Sequence, residues 1–220
     1  EYLNNKAGEI ALQAKKNYPD VLIAGSLPPQ YLTYEADTRS DDEIADNFYS
    51  QAKLLKPYID FFYLDVLISV KEFKIVIKCI KEFNKPYLIG AHISEGTSLP
   101  SGEKISEILT NIKHEKLLGI ILSCISPENY ELNLNEIKNL GIPFGFKLNA
   151  FIKTNPKPNY TGAYRKSKTG NPNEFLGQRK DLTPDKMAEI AKKFKDAGAT
   201  ILGGCCETRP SHIKAMSNLI

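Results

Sequence analysis

The residues best suited to chemistry are three cysteines. Cys124 closes the apolar run LLGIILSC, and Cys205 and Cys206 stand side by side in ILGGCCETRPSHIKAM near the C-terminus. Adjacent cysteines make a poor disulfide, because so tight a ring strains the peptide bond and the S–S geometry. As two thiolates leaving one strand end they make a good pair of metal ligands. Three thiolates at about 2.3 Å around Zn²⁺ leave one tetrahedral position open, the mark of a catalytic rather than a structural site. The fourth cysteine, Cys79, shares an apolar helical face with Ile75, Val76, Ile80 and Phe83 and reads as a small core residue.

The elements that must position these thiols follow from periodicity. Residues 1 to about 18 place Ala7, Ile10, Ala11 and Ala14 at helical spacing, an amphipathic helix. Short apolar strands are expected at 21–27, 61–66, 87–93, 117–124, 144–150 and in TILGGCC. Helices are expected between them, from Asp41, over 69–83, over 101–115, from Ser126-Pro127 to Leu140, and from Thr183-Pro184 to Ala197. Gly141 stands where a C-terminal cap belongs. The polar stretch 151–180 is long enough to expect a lid or binding surface.

Strand and helix alternating about every thirty residues call for parallel strands in right-handed βαβ units. Two architectures compete, an open doubly wound sheet and a (β/α)₈ barrel. No strand leads into a G-x-G-x-x-G turn. Candidate residues instead recur at strand C-terminal ends: Ser26, Asp65, His92, Cys124, Asn149, Cys205 and Cys206. That favours the barrel, in which alternate strands feed one layer and the three thiols converge at the mouth. Six units are two short of eight, so the reading is an N-terminally incomplete barrel, lacking roughly 50–80 residues or obtaining those strands elsewhere.

Composition narrows the classes. The 220 residues are 42% hydrophobic and 25% charged, ordinary for one globular domain. The net charge of +3 comes from bases scattered among acids and gives no argument for nucleic acid. No apolar run is long enough to span a membrane. Four cysteines without a signal peptide point to a reducing cytoplasm. A homo-oligomer is left open.

The closing stretch GGCCETRPSHIKAM resembles the C-terminal motif of the homocysteine S-methyltransferase family. The resemblance extends to AGSLPP at 24–29, CISPE at 124–128, FKLNAF at 146–151 and LTPDKMAEIAKKFKDAGATILGGCC at 182–206. It implies one homocysteine-binding (β/α)₈ barrel domain over 1–220, lacking its first strand-helix-strand segment. It further implies zinc held by Cys124, Cys205 and Cys206, with methyl transfer from a small onium donor to homocysteine. Asp65 stands where the family has a Glu that anchors the substrate amino group, and it is one methylene shorter. Glu207 follows the cysteine pair where Gly is common.

Further substrate contacts are expected from Asn149, Ser26 and Gly204, the last two glycines of the strand letting backbone approach the site closely. His92 reads as a satisfied polar residue rather than a ligand, and His212 as surface structure. Tyr160 and Tyr164 could cover a cationic donor with their rings. Two rival readings remain: a thiol methyltransferase with another thiol or selenol acceptor, and an inactive or partner-completed barrel fragment.

Overall fold

A computed structural model describes residues 1–31, 34–112, 115–154 and 174–220. Six parallel strands form one sheet: β1 (Ala24–Ser26), β2 (Phe61–Leu67), β3 (Tyr87–Ala91), β4 (Leu117–Ile125), β5 (Phe144–Leu148) and β6 (Ile201–Gly204). Their spatial order is their chain order, β1-β2-β3-β4-β5-β6. A doubly wound sheet would reverse that order at a switch point, so the sequential order selects the barrel-type winding. Ala24 of β1 and Ile201, Gly203 and Gly204 of β6 line one cavity of about 280 Å³. The two edge strands thus curl toward a common interior, and the sheet is a half-barrel.

Seven helices accompany the strands among the described residues: α1 (Tyr2–Lys15), α2 (Asp41–Leu55), α3 (Val70–Ile80), α4 (Ile105–Asn111), α5 (Pro127–Lys138), α6 (Pro184–Asp196) and α7 (Pro210–Ser217). Local chemistry starts four of them. Ser40, Ser69, Ser126 and Thr183 each accept a hydrogen bond from the backbone N–H of the third residue of the helix that follows. Pro127 and Pro184 open their helices as the sequence predicts. Gly141, at φ +71°, follows α5 as the expected C-terminal break.

The main core lies between the sheet's outer face and the helices. It is built on Phe62, Leu64, Ile89, Ile120, Leu122 and Phe146 from the strands and Phe48, Phe73, Ile108, Tyr130 and Phe194 from the helices. A small second cluster of Tyr63, Leu88 and Ile121, with Phe61 and Ile201, fills the inner face. Side chains alternate between the two clusters along each strand, as a pleated strand requires.

Three expectations are corrected. The apolar stripe of α1 is not buried: Ile10 is exposed, and only Gly8 is buried, its Cα facing Tyr58. This helix packs chiefly against α2 and the turn at Lys56–Tyr58. α4 is shorter than its sequence window, because an antiparallel bridge between Ser98 and Lys104 holds the preceding residues in a loop. His212 is buried rather than superficial. Its Nδ1 accepts from the Arg209 backbone N–H and its Nε2 donates to the Leu182 carbonyl, so it ties α7 to the chain before α6.

Candidate metal centre

The three thiols meet at the C-terminal mouth of the half-barrel. Cys206 Sγ lies 3.7 Å from Cys124 Sγ and 3.8 Å from Cys205 Sγ. All three sulfurs fall within 4.8 Å of one another. Ligands at about 2.3 Å on a tetrahedral zinc ion stand about 3.8 Å apart, so two of the three edges already have the spacing a metal would require. The donor set and the spacing both fit zinc.

Backbone strain helps to bring them together. Cys124 has φ +57° at a register shift between Ser123 and Ile125, and Val66 has φ +61° at a register shift between Leu64 and Leu67. Positive φ is uncommon outside glycine and a true outlier for a β-branched residue such as Val66. Both irregularities sit at strand C-termini, where such bulges re-aim side chains. Val66 and Cys124 belong to one apolar cluster with Phe151, Leu176, Phe175, Cys205 and Cys206. The sulfurs therefore sit in a low-dielectric wall.

Proton affinities follow from this crowding. Hydrogen bonds from Cys205 and Cys206 hold the Cys124 thiol well below its usual range; burial opposes this, while His92 and a contact from Tyr34 Oη assist. Hydrogen bonds to Cys124 push Cys205 far up and Cys206 up to about 12, with burial and the charge on Cys124 adding to both. Without a cation the crowding favours ionisation at Cys124 over its two neighbours. A divalent ion would reverse that ordering by stabilising all three thiolates.

The residues around the thiols are buried and mutually bonded. Asn149 donates from Nδ2 to the Cys124 carbonyl at 2.7 Å, and its Oδ1 accepts from the Phe151 backbone N–H. Its polar groups are spent on Cys124 and the following turn. His92 is fully buried, donating from Nδ1 to the Ser123 carbonyl and accepting at Nε2 from Ser94. Burial lowers its pKa, so it is a neutral, satisfied histidine under the ring of Tyr34, whose centroid is 4.6 Å away. A Cβ at Gly204 would come within 2.6 Å of Thr208 Oγ1 and 3.1 Å of Ile213, so packing against α7 explains the glycine.

Asp65 is engaged. Its carboxylate accepts from Lys147 Nζ at 2.6 and 2.8 Å and from Ser26 Oγ at 3.4 Å. Lys147 was not among the residues singled out from the sequence, although a lysine inside the apolar strand FGFKL was a signal that something must receive its charge. Cys79 lies against the core with its thiol directed at the Ala45 carbonyl, remote from the cluster. Tyr160 and Tyr164 lie outside the described residues. Among the described residues no helix is long and apolar enough to cross a membrane.

Comparison with known proteins agrees with this geometry. The family model for homocysteine S-methyltransferase matches residues 1–220. Homocysteine S-methyltransferase 1 of Saccharomyces cerevisiae is 27% identical over 169 residues, covering 74% of this chain and 48% of the yeast protein. Homocysteine S-methyltransferase YbgG of Bacillus subtilis is 23% identical over 218 residues, covering 91% of this chain and 62% of that protein. The chain therefore spans about half to three fifths of the length of these relatives. The crystal structure of the homocysteine methyltransferase MmuM from Escherichia coli, in its apo form, superimposes with a TM-score of 0.72 at 17% identity. It covers all of this chain and 74% of MmuM, which places the half-barrel within a TIM-barrel fold. The chain belongs to the homocysteine S-methyltransferase family.

Proposed function

We propose that this chain is the zinc-binding part of a methyltransferase that moves a methyl group from a small onium donor to the sulfur of homocysteine, giving methionine. The observation that carries the reading is the trio Cys124, Cys205 and Cys206, with two of its three sulfur separations at tetrahedral spacing in an apolar wall. These residues would hold the ion, which would supply the Lewis acidity that keeps an acceptor thiol deprotonated near neutral pH.

The transfer itself makes few demands on the protein. The acceptor's sulfur forms a bond to the methyl carbon as the bond from carbon to the onium centre breaks. The donor leaves with that electron pair and becomes neutral, and the thiolate becomes a thioether. No side chain has to give or take a proton, so the protein acts by orientation and by excluding water. Asn149 fixes the backbone of Cys124. Asp65, aligned by Ser26, faces the interior and would receive the acceptor's ammonium. The apolar side chains of Phe151 and Leu176 keep water from the sulfurs.

Metal analysis and a donor panel test the reading together. The purified protein should carry one equivalent of zinc, and Cys124→Ala should lose it. Homocysteine methylation should be seen with at least one sulfonium or quaternary ammonium donor. Stoichiometric zinc retained with unchanged thiol ligation in Cys124→Ala would sink the mechanism.

A further inference from the structure

Beneath the thiols the half-barrel has a polar floor, built across four strands. Asp65 on β2 and Lys147 on β5 meet over the interior, and their carboxylate and ammonium are 2.6 Å apart at closest approach. The strands between them contribute only small inward side chains at this level, Gly90 on β3 and Ser123 on β4, the latter hydrogen-bonded to Tyr63 Oη. Lys147 Nζ also lies 4.9 Å from the centre of the Tyr63 ring. In register Lys147 pairs with Ser123 and Gly203, one residue before Cys124 and two before Cys205. The ion pair is therefore the surface that any molecule with its sulfur among the cysteines would meet next.

The pair is not saturated. A lysine ammonium has three donors, and Asp65 takes two of them. A carboxylate offers about four acceptor positions; Lys147 and Ser26 occupy three, and the Tyr63 hydroxyl stands at the fourth. One donor remains on Lys147, and at Asp65 an incoming ammonium would take the place of the Tyr63 hydroxyl, which keeps its bond to Ser123. An α-amino acid presents the complement, a carboxylate and an ammonium on one carbon.

Building on the function proposed above, we infer that Lys147 is a specificity-determining residue: it receives the acceptor's carboxylate while Asp65 receives its ammonium, so the floor selects zwitterionic thiols. A lone carboxylate would accept any aminothiol. The added lysine partly neutralises Asp65 and penalises an acceptor that cannot return a negative charge to it. Side-chain exposures of 17% for Asp65 and 21% for Lys147 keep both groups within reach of a ligand yet largely out of bulk water.

The test is equilibrium binding to the zinc-loaded protein, by calorimetry, of four thiols: homocysteine, homocysteamine (no carboxylate), mercaptobutyrate (no ammonium) and propanethiol (neither). The native protein should prefer homocysteine over homocysteamine by about tenfold or more, the scale of one charge-assisted hydrogen bond. Lys147→Met should remove that preference without weakening homocysteamine, and Lys147→Arg should keep it. If Lys147→Met does not fold, the neutral pair Asp65→Asn/Lys147→Met serves, and it should bind homocysteine no more tightly than propanethiol. A preference for homocysteine over homocysteamine that survives in the Met variant, or over propanethiol that survives in the neutral pair, overturns the role of Lys147 while leaving the acceptor reading intact. A native protein that binds none of the four, propanethiol included, overturns the acceptor reading and this inference with it.

Discussion

Asn149 donates from its side-chain amide to the carbonyl oxygen of Cys124 at 2.7 Å, and the same nitrogen lies 3.8 Å from the Cys124 sulfur. The two residues end neighbouring strands, β4 and β5. Cys124 is in the left-handed region at φ +57°, which an L-residue holds only when its surroundings insist. Asn149 supplies part of that insistence, acting on Cys124 through both its carbonyl and its sulfur.

Asn149→Ala should therefore leave the fold in place and weaken zinc binding by about 10–100-fold, the usual cost of losing a supporting partner behind a ligand. Competition with a chromophoric chelator measures this. Equal zinc affinity in native and variant protein would show that Cys124 is held by its ladder alone.

Glu207, directly after the cysteine pair, has φ +61°. The left-handed region costs an L-residue about 1–2 kcal/mol, whereas glycine meets no such penalty but has more chain freedom to lose. Glu207→Gly should stabilise the protein by about 0.5–1 kcal/mol, seen as a higher urea midpoint at an unchanged slope. The backbone carbonyl that accepts from Gln178 is unaffected by this change.

Glu72 is buried in the first turn of α3, where its carboxylate accepts from Ser69 Oγ at 2.7 Å. Burial raises its pKa to about 7, against the hydrogen bonds from Ser69 and Ile68. A folded-state pKa above the unfolded value means that the folded state holds its proton more tightly. The resulting stability is complete below about pH 4.5 and is lost as pH rises through about 7. Its full extent is on the order of 3 kcal/mol. Glu72→Gln keeps an acceptor for Ser69 and should flatten that fall, being more stable than the native protein at pH 8 but not at pH 4.5. Denaturant titrations at both pH values decide it.

Two glycines should respond in opposite ways. A Cβ at Gly145 would lie 1.8 Å from the Ile201 carbonyl oxygen, on the neighbouring strand that carries Cys205 and Cys206. At Gly203 the nearest atom would be 3.4 Å away, an ordinary contact. Gly145→Ala should cost about 3 kcal/mol or fail to fold, because β5 and β6 must separate. Gly203→Ala should stay within about 1 kcal/mol of native. Thermal midpoints of the two variants make the comparison.

What the sequence determined by itself was local. Ser126-Pro127 and Thr183-Pro184 start helices because a hydroxyl and a fixed φ suit a first turn wherever they occur. The apolar runs became strands in chain order, and the vicinal Cys205 and Cys206 marked a candidate metal site because their chemistry as neighbours is constrained within two residues. Cys124 could be joined to them from its place at a strand end. Tertiary structure decided everything that depends on which partner a polar group finds. Asp65 meets Lys147, 82 residues away, only because the sheet curls. Asn149 finds the carbonyl of Cys124, Gly204 meets Thr208 and Ile213, and His212 is buried in a hydrogen-bonded tie. Hydrophobic periodicity reports which face is buried, but it holds no information about distances between strands. The pairing of charges across the interior is set by curvature and register alone.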